Sequence, residues 1–178
     1  VRYGTTGWPV PGYEIELRGD SGGPVPDGEP GDLFIQGPSA AMMYWGNRTK
    51  TRETFQGGWT KSGDKYVRNS DGSFTYGGRS DDMLKVSGVY VSPFEVEATL
   101  VQHAAVLEAA VIGVVDTAGL TKPTAFVALK PGFEPSEALN RELLGHARKR
   151  LGAAVAPKAI AFRANLPKTR SGKIMRRL

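Results

Sequence analysis

A segment near the end of the chain carries cations that suit an anionic ligand. It reads PKTRSGK over residues 167–173, and its serine, glycine and charged residues predict an exposed, mobile loop. It is not a phosphate-binding P-loop, because that motif needs a glycine where Pro167 stands. On these residues alone two interpretations stay open. The segment is either a flexible basic tail or a loop that delivers Lys173 to a phosphate or carboxylate oxygen.

Two earlier segments contain carboxylates. TKSGD at residues 60–64 ends in Asp64, which is either a turn residue or a carboxylate whose two oxygens accept hydrogen bonds from both hydroxyls of a ribose. GRSDDMLKVSG at residues 78–88 places an arginine, two aspartates, a lysine and a glycine in fixed order. A polar linker between two domains would have a similar sequence. Hinges commonly occur in such linkers and at the ends of helices and strands.

The first half of the chain must position these carboxylates, and its pattern favours short strands. Residues 13–18, 32–36 and 74–76 are predicted strands separated by turns rich in glycine and proline, and residues 49–55 are a predicted short helix. GDLFIQG (31–37) and MYWG (43–46) are interpreted only as a strand and a turn with side chains in the core. Short strands with frequent turns predict a small antiparallel β-barrel or sandwich.

The second half changes character, and we place a domain boundary near Asp81. A capping box at residues 92–95 predicts a helix that runs to about residue 102, and a second, longer helix begins after Ser136. The stripe predicted to be buried on the first helix is Phe94, Ala98 and Val101. The residues on one face of the second are Leu139, Leu143, Ala147 and Leu151. With strands at 111–115 and 125–130, the fold class is α+β.

Composition argues against several kinds of site. The chain has no cysteine, and its two histidines, His103 and His146, lie in separate segments, so we expect no disulfide and no metal site built by this chain alone. No run of about 18 apolar residues exists, so no membrane association is expected. The absence of cysteine is compatible with a cytoplasmic location. The opening VRYGTTG resembles the middle of a domain, which predicts that the chain is a fragment.

The net charge of +5 is concentrated at the end of the chain. From Arg163 onward there are six basic residues and no acidic ones. Such a stretch suits nucleic acid or a phosphorylated small molecule, and a solvated basic tail is the alternative. Aromatic residues are not interleaved with it as a stacking platform for nucleic acid requires.

Taken together, GD, then GRxDDxxKxxG, then PKTxxGK resemble the adenylate-forming superfamily, which includes acyl-CoA synthetases, carrier-protein adenylation domains and beetle luciferase. Longer stretches are similar to the benzoate-CoA ligases within it. These are YGTTGWPVPGYEIEL, MYWGNRTKTRETFQGGWTKSGDKYVRN and DDMLKVSGVYVSPFEVEATL.

The resemblance implies a two-step reaction. An aromatic carboxylate attacks the α-phosphate of Mg-ATP to give an acyl-adenylate, and the thiol of CoA then displaces AMP. The resemblance also implies the roles of single residues. Lys173 is the catalyst of adenylation, and Asp81 is the hinge. The residues that bind nucleotide or CoA are Asp64, Arg79, Lys85 and Gly88, the first two at the ribose and the last at the pantetheine tunnel.

The resemblance further implies how the chain is organised. Residues 1–80 would be a β-rich subdomain of the large adenylation domain, and residues 81–178 a mobile C-terminal lid. The phosphate-grasping loop, the acyl pocket and the Thr-Glu segment associated with magnesium are expected upstream of Val1. Tyr90 stands where some relatives carry an arginine near the CoA phosphates.

Expected partners are the carboxylate, ATP, CoA and the missing N-terminal part. A lysine acetyltransferase and deacetylase acting on Lys173 and a second copy in a homodimer are also considered. Alternative functions are loading of a carrier-protein pantetheine, binding of nucleic acid, and an interaction domain left from a split enzyme.

Overall fold

The computed structural model describes residues 2–86 and 88–178. The chain divides into two compact units, Val1–Asp81 and Asp82–Leu178. Both strands and helices are present, so the predicted α+β class is confirmed.

The first unit is built on an antiparallel sheet with a long central strand. Its strands are β1 (Glu14–Arg18), β2 (Pro30–Gln36), β3 (Phe55–Gln56), β4 (Trp59–Arg68) and β5 (Phe74–Arg79), and its helix is α1 (Arg48–Thr54). The strand order is β1-β2-β4-β3, and β5 also pairs with β4. β4 thus has three partners, and the sheet curls as a half-barrel around a small core centred on Leu17, Leu33 and Phe74.

Two irregularities bend this sheet. The register between β2 and β4 shifts between Asp32 and Phe34, and that between β4 and β5 shifts between Lys65 and Tyr66. Gly77 is the extra residue of the second bulge, and a Cβ there would lie 3.2 Å from the carbonyl oxygen of Lys65. Bulges increase twist and re-aim the side chains that follow.

The second unit places two helices on a three-stranded sheet. It begins with a hairpin of β6 (Leu84–Val86) and β7 (Val89–Val91), followed by α2 (Pro93–Val101), β8 (Val106–Val115), β9 (Thr121–Leu129), α3 (Glu137–Leu151) and β10 (Ala159–Phe162). The sheet order is β10-β9-β8; β9 is antiparallel to β8 and parallel to β10. Fully buried core side chains come from both helices and the sheet. They include Val96, Leu100, Val106, Val111, Val127 and Leu143.

Both helix starts confirm the predicted caps. The Ser92 hydroxyl accepts from the backbone N–H of Glu95 at 3.3 Å, and the Ser136 hydroxyl accepts from that of Leu139 at 3.1 Å. Leu139, Leu143 and Ala147 are buried, as their spacing predicted.

The buried stripe predicted for α2 is wrong. Phe94 is 42% exposed and Val101 is 43% exposed, and Ala98 is also exposed. The helix instead buries the opposite face, with Pro93, Val96, Glu97, Thr99 and Leu100. The reason is an acidic residue in the interior: Glu97 accepts a hydrogen bond from the backbone N–H of Val111 on β8 at 2.8 Å. A helical pattern that treats every glutamate as exposed therefore assigns the wrong face.

α3, with 15 residues, is the longest helix in the described parts of the chain, and none there has both the length and the apolar character needed to cross a bilayer.

Candidate active site

Asp64 and Arg79 are direct cross-strand partners on β4 and β5. Directly opposed residues of an antiparallel pair project to the same face, so the two side chains meet. Nη1 of Arg79 lies 3.3 Å from Oδ1 of Asp64. The Asp64 side chain is 27% exposed and that of Arg79 is 43% exposed, so both remain accessible to a ligand. The structure thus brings together two of the residues predicted for nucleotide binding.

Gly63 leaves space for the Arg79 guanidinium, a role that the sequence analysis did not predict. Its φ of +81° is in the left-handed region that favours glycine. A Cβ at this position would lie 3.0 Å and 3.2 Å from the two terminal nitrogens of Arg79. The Gly63 carbonyl also accepts from the backbone N–H of Ser80 at 2.9 Å. The glycine preceding Asp64 in the sequence is the signal that could have identified it.

Arg79 also binds the residue predicted to be the hinge. Its Nε donates to Oδ1 of Asp81 at 3.0 Å and its Nη2 to Oδ2 at 3.4 Å. These hydrogen bonds from Arg79 hold the pKa of Asp81 below its ordinary value. The bond to Asp81 in turn raises the pKa of Arg79. One guanidinium therefore links the ribose-binding candidate, Asp64, to Asp81.

Asp32 is a second site residue that the sequence did not reveal, because residues 31–37 were interpreted only as a strand. Its carboxylate lies 2.8 Å from Nζ of Lys61 and 3.1 Å from Nζ of Lys65, and it accepts from the Ser80 hydroxyl at 2.7 Å. Its side chain is 14% exposed. Asp32 therefore holds Ser80, the residue before Asp81, against the sheet.

The pKa of Asp32 reflects a competition between burial and these donors. Burial raises the pKa, but the hydrogen bonds from Lys61, Ser80 and Lys65 outweigh it and hold the pKa below the ordinary 3.8. Because the folded-state pKa is lowered, the stabilisation is complete well above that value. It is lost as the pH falls through the folded-state pKa.

Replacing Asp32 with asparagine is expected to lower the free energy of unfolding of the first unit by about 2 kcal/mol at pH 7, since hydrogen bonds to a charged group are lost. The difference from the unchanged protein should shrink as the pH falls below about 4. Urea unfolding followed by tryptophan fluorescence measures this, because Trp8, Trp45 and Trp59 all lie in this unit. In the control, Asp27→Asn, the exposed pair with Arg68 should contribute at most about 1 kcal/mol. A difference that persists undiminished at pH 3 would contradict this account.

A cleft of 480 Å³ lies beside these side chains in the first unit. This volume is within the range of small-molecule sites, about 300–1,000 Å³. Polar and charged side chains line it, among them Tyr44, Lys50, Glu53, Lys61, Arg79 and Asp81. Asp64 does not line the cleft itself but contacts it through Arg79. The ammonium and guanidinium groups that line the cleft suit a phosphorylated ligand.

In the second unit, Lys173 lies on an exposed, hydrogen-bonded turn. Its carbonyl accepts from the backbone N–H of Thr169 at 2.8 Å, and its own N–H donates to the Thr169 hydroxyl at 3.1 Å. Lys168 and Ile174 form a β-bridge, which closes the turn. The predicted exposure is confirmed; the predicted mobility stays a prediction. Among the described residues no carboxylate pairs with Lys173, so its ammonium is available to a ligand.

Lys85 and Gly88 lie on the β6–β7 hairpin of the second unit. Lys85 is paired across the hairpin with Tyr90, and its Nζ lies 6.0 Å from the centre of the Tyr90 ring. Gly88 is exposed with a φ of +84°, and a Cβ there would meet nothing within 4 Å. Ser87, part of the same motif, lies outside the described residues.

The described parts of the chain contain no group of three or more histidine, cysteine, aspartate or glutamate side chains that could hold a metal ion. The carboxylates of Asp64 and Asp81 are both within reach of Arg79, and that of Asp32 pairs with Lys61 and Lys65. The donor set present therefore fits a sugar and an anion better than a divalent cation.

Comparison with known proteins identifies the family of the chain. A model described as the AMP-binding enzyme C-terminal domain matches residues 95–173, and one described as AMP-binding enzyme matches residues 1–45. A benzoate–CoA ligase of Thauera aromatica is 53% identical over 99% of this chain, and a 4-hydroxybenzoate–CoA/benzoate–CoA ligase of Rhodopseudomonas palustris is 51% identical over 100% of it.

The structure agrees with these matches. A crystal structure of a benzoate CoA ligase from Burkholderia xenovorans LB400 superposes with a TM-score of 0.90 and 61% identity, covering 99% of this chain and 35% of that one. The chain spans about a third of the length of the curated relatives, 34% and 33%. The resemblance predicted from the motifs is thereby confirmed, and the chain belongs to the adenylate-forming family of AMP-binding enzymes, with marked similarity to benzoate–CoA ligases.

Proposed function

We propose that the chain is the C-terminal third of an AMP-forming aryl-CoA ligase, whose full length is called the complete enzyme below. The substrates are an aromatic acid of the benzoate or hydroxybenzoate type, ATP and CoA. The observation that carries the proposal is the Asp64–Arg79 pair, which lies beside a cleft lined by two lysines and for which Gly63 leaves room. The similarity to benzoate–CoA ligases supports the choice of acid.

Asp64 and Arg79 form the nucleotide end of the proposed site. The two oxygens of Asp64 accept hydrogen bonds from the two ribose hydroxyls, while Arg79 donates to the same ribose. The ion pair between them is partly exposed and 3.3 Å long, so its replacement by ligand contacts costs little. Lys50 and Lys61, on the cleft wall, add positive charge near the phosphates.

Lys173 acts in the first half-reaction. A carboxylate oxygen of the acid attacks the α-phosphorus of ATP, a new P–O bond forms, and the bond to pyrophosphate breaks. This step brings two negative groups together, and an ammonium between them stabilises the charge that develops. The exposed Lys173 side chain is a compact charge on a flexible stem, which suits that task.

The second half-reaction uses a different part of the same unit. The CoA sulfur attacks the acyl carbon, the thioester bond forms, AMP leaves, and the thiol proton passes to solvent. We assign the exposed, Cβ-free Gly88 to the wall of the pantetheine route and Lys85 to CoA binding. Rotation of residues 81–178 about Asp81 exchanges the two arrangements. Magnesium would neutralise phosphate charge during adenylation, and we assign its ligands to segments other than this chain.

The basic C-terminal stretch is accounted for without nucleic acid. Lys168 pairs with Glu108 at 2.6 Å, Arg176 pairs with Glu97 and Asp82, and the Arg163 guanidinium lies 5.2 Å from the Phe126 ring centre. Three of the six cations thus contact the second unit itself, which weakens the nucleic-acid alternative.

The rest of the ligase is the partner this proposal requires, and the cytoplasm, which supplies ATP and CoA, is the location we infer. A lysine acetyltransferase would abolish the charge of Lys173, and a deacetylase would restore it. Homodimer formation stays a prediction.

The proposal is tested by measuring AMP release by the complete enzyme with benzoate, hydroxybenzoates and short fatty acids. Each acid is offered with CoA or with a phosphopantetheinyl carrier protein. We expect AMP release with an aromatic acid and CoA. AMP release only with the carrier protein would show that the acceptor is the carrier protein and not CoA. No AMP release with any aromatic acid would reject the aryl-CoA assignment.

Replacing Gly63 with alanine in the complete enzyme is expected to weaken AMP binding about tenfold, or 1.4 kcal/mol, because the new Cβ pushes the Arg79 guanidinium from its place. Titration calorimetry with AMP measures the change. Gly57→Ala is a matched control: Gly57 has a φ of +65°, but a Cβ there meets nothing within 4 Å. Both variants carry the backbone strain, so equal affinities would remove the steric argument for Gly63.

A further inference from the structure

Arg176, three residues after Lys173, joins the C-terminal segment to the interior of the second unit. Its Nε donates to Oε1 of Glu97 at 2.9 Å and its Nη2 to Oε2 at 2.6 Å, a two-pronged contact. Its Nη1 donates to Oδ2 of Asp82 at 2.9 Å. A planar guanidinium can satisfy such a pair of carboxylates in only one orientation, so the contact fixes direction as well as distance.

Glu97 is itself held rigidly. It lies on α2 with a side chain only 11% exposed, and it accepts from the backbone N–H of Val111 on β8 at 2.8 Å. The carboxylate therefore connects a helix, a strand and the C-terminal segment. A buried acidic residue with this set of partners is expected to have a specific structural or positioning task.

The other side of the Lys173 turn is also anchored. Lys168 pairs with Glu108 on β8 at 2.6 Å, and the backbone N–H of Met175 donates to the Pro167 carbonyl at 2.9 Å. The turn thus projects from two fixed points on its own unit. The exposed ammonium of Lys173 starts from a defined place, although its side chain is long and flexible.

We propose that Arg176 is a positioning residue for Lys173, which rests on the role proposed above for that lysine. Arg176 ties the turn to Glu97 and to Asp82, the residue next to the proposed hinge at Asp81. Rotation at the hinge therefore carries the turn as a rigid part of its unit. Without the tie, the ammonium would reach the α-phosphate only in a fraction of the arrangements, and a displacement of about 1 Å can cost about 100-fold in rate.

The test is Arg176→Met in the complete enzyme. Adenylation, measured as single-turnover pyrophosphate release, is expected to fall about 100-fold. Thioester formation from supplied benzoyl-adenylate and CoA should change little. Trypsin cleavage after Arg170 and Lys173 should accelerate, because the turn loses one of its two anchors. Arg177→Met, at the neighbouring exposed arginine, is the matched control and should leave all three rates unchanged.

A second variant controls for the possibility that Arg176→Met does not fold. Arg176→Met leaves Glu97 buried without its cation, which destabilises the unit. Arg176→Met combined with Glu97→Gln removes both charges and keeps an acceptor for the Val111 N–H, so it should fold and still lose adenylation. Arg176→Lys should recover part of the rate. Equal loss in both half-reactions, or normal adenylation in the double variant, would overturn the proposal. Absence of any adenylate from the unaltered enzyme would instead reject the proposed function, while the trypsin comparison would still report on the anchor.

Discussion

Replacing Lys173 with alanine in the complete enzyme is expected to slow adenylation by about 10²–10³-fold, the usual cost of removing one donor aimed at developing charge. Thioester formation from supplied benzoyl-adenylate should keep its rate, because no phosphorus–oxygen bond is made in that step. The structure supports the separation of the two effects. Lys173 is exposed at the end of a closed turn and has no carboxylate partner among the described residues, so its loss leaves no buried charge behind.

Two measurements decide this prediction: single-turnover pyrophosphate release, and thioester formation with adenylate supplied. Arg170→Ala is the matched control, since it removes an exposed cation from the same turn and should leave both rates nearly unchanged. If Lys173→Ala slowed both half-reactions equally, the lysine would be a general binding or folding residue. If it slowed neither, adenylation would depend on a different cation.

The sequence predicted Asp64 and Arg79 through their motifs, but their contact could not be predicted from spacing. They are 15 residues apart, and only the register of β4 against β5 makes them opposite. A bulge at Gly77 intervenes between them, and a one-residue slip in a strand turns every side chain to the other face. The motif thus predicted a role for the two residues, and the register set by the bulge brings them into contact.

Asp32 shows why part of the site was missed. In the sequence, Asp32 is only a polar residue at the start of an apolar strand. Its partners are Lys61, Lys65 and Ser80, which the fold brings from β4 and from beyond β5. Local pattern carries no information on such partners, whereas the α3 face was predicted because burial there follows helical period alone.

The same limit explains the error on α2. Glu97 is polar, yet it is buried because Arg176 lies 79 residues later and reaches it. A charged side chain can be buried only when a partner of opposite charge is present. A periodicity analysis over about eleven to eighteen residues does not include a partner this far along the chain. The misassigned helix face and the proposed positioning role of Arg176 therefore have one physical origin.

Replacing Asp81 with proline is the second large effect we expect. Proline fixes φ near −65°, so the chain at the proposed hinge could adopt only one of the two arrangements. One half-reaction of the complete enzyme should fall about 100-fold, the cost of misplacing reacting groups by about 1 Å, while the other is retained. The same two assays report it: pyrophosphate release in a single turnover, and thioester formation from supplied benzoyl-adenylate.

The Asp81→Ala variant distinguishes the effect of losing the ion pair from the effect of restricting backbone rotation. It removes the carboxylate that binds Arg79 at 3.0 Å but leaves φ free to change. Since that pair is exposed, with 71% of the Asp81 side chain accessible, its loss should affect both half-reactions only slightly. Arg79 would then be released toward Asp64, so nucleotide binding should be maintained. A proline variant that matches the alanine variant in both assays would show that backbone rotation at Asp81 is not required, and the exchange of the two arrangements would have to occur at another residue.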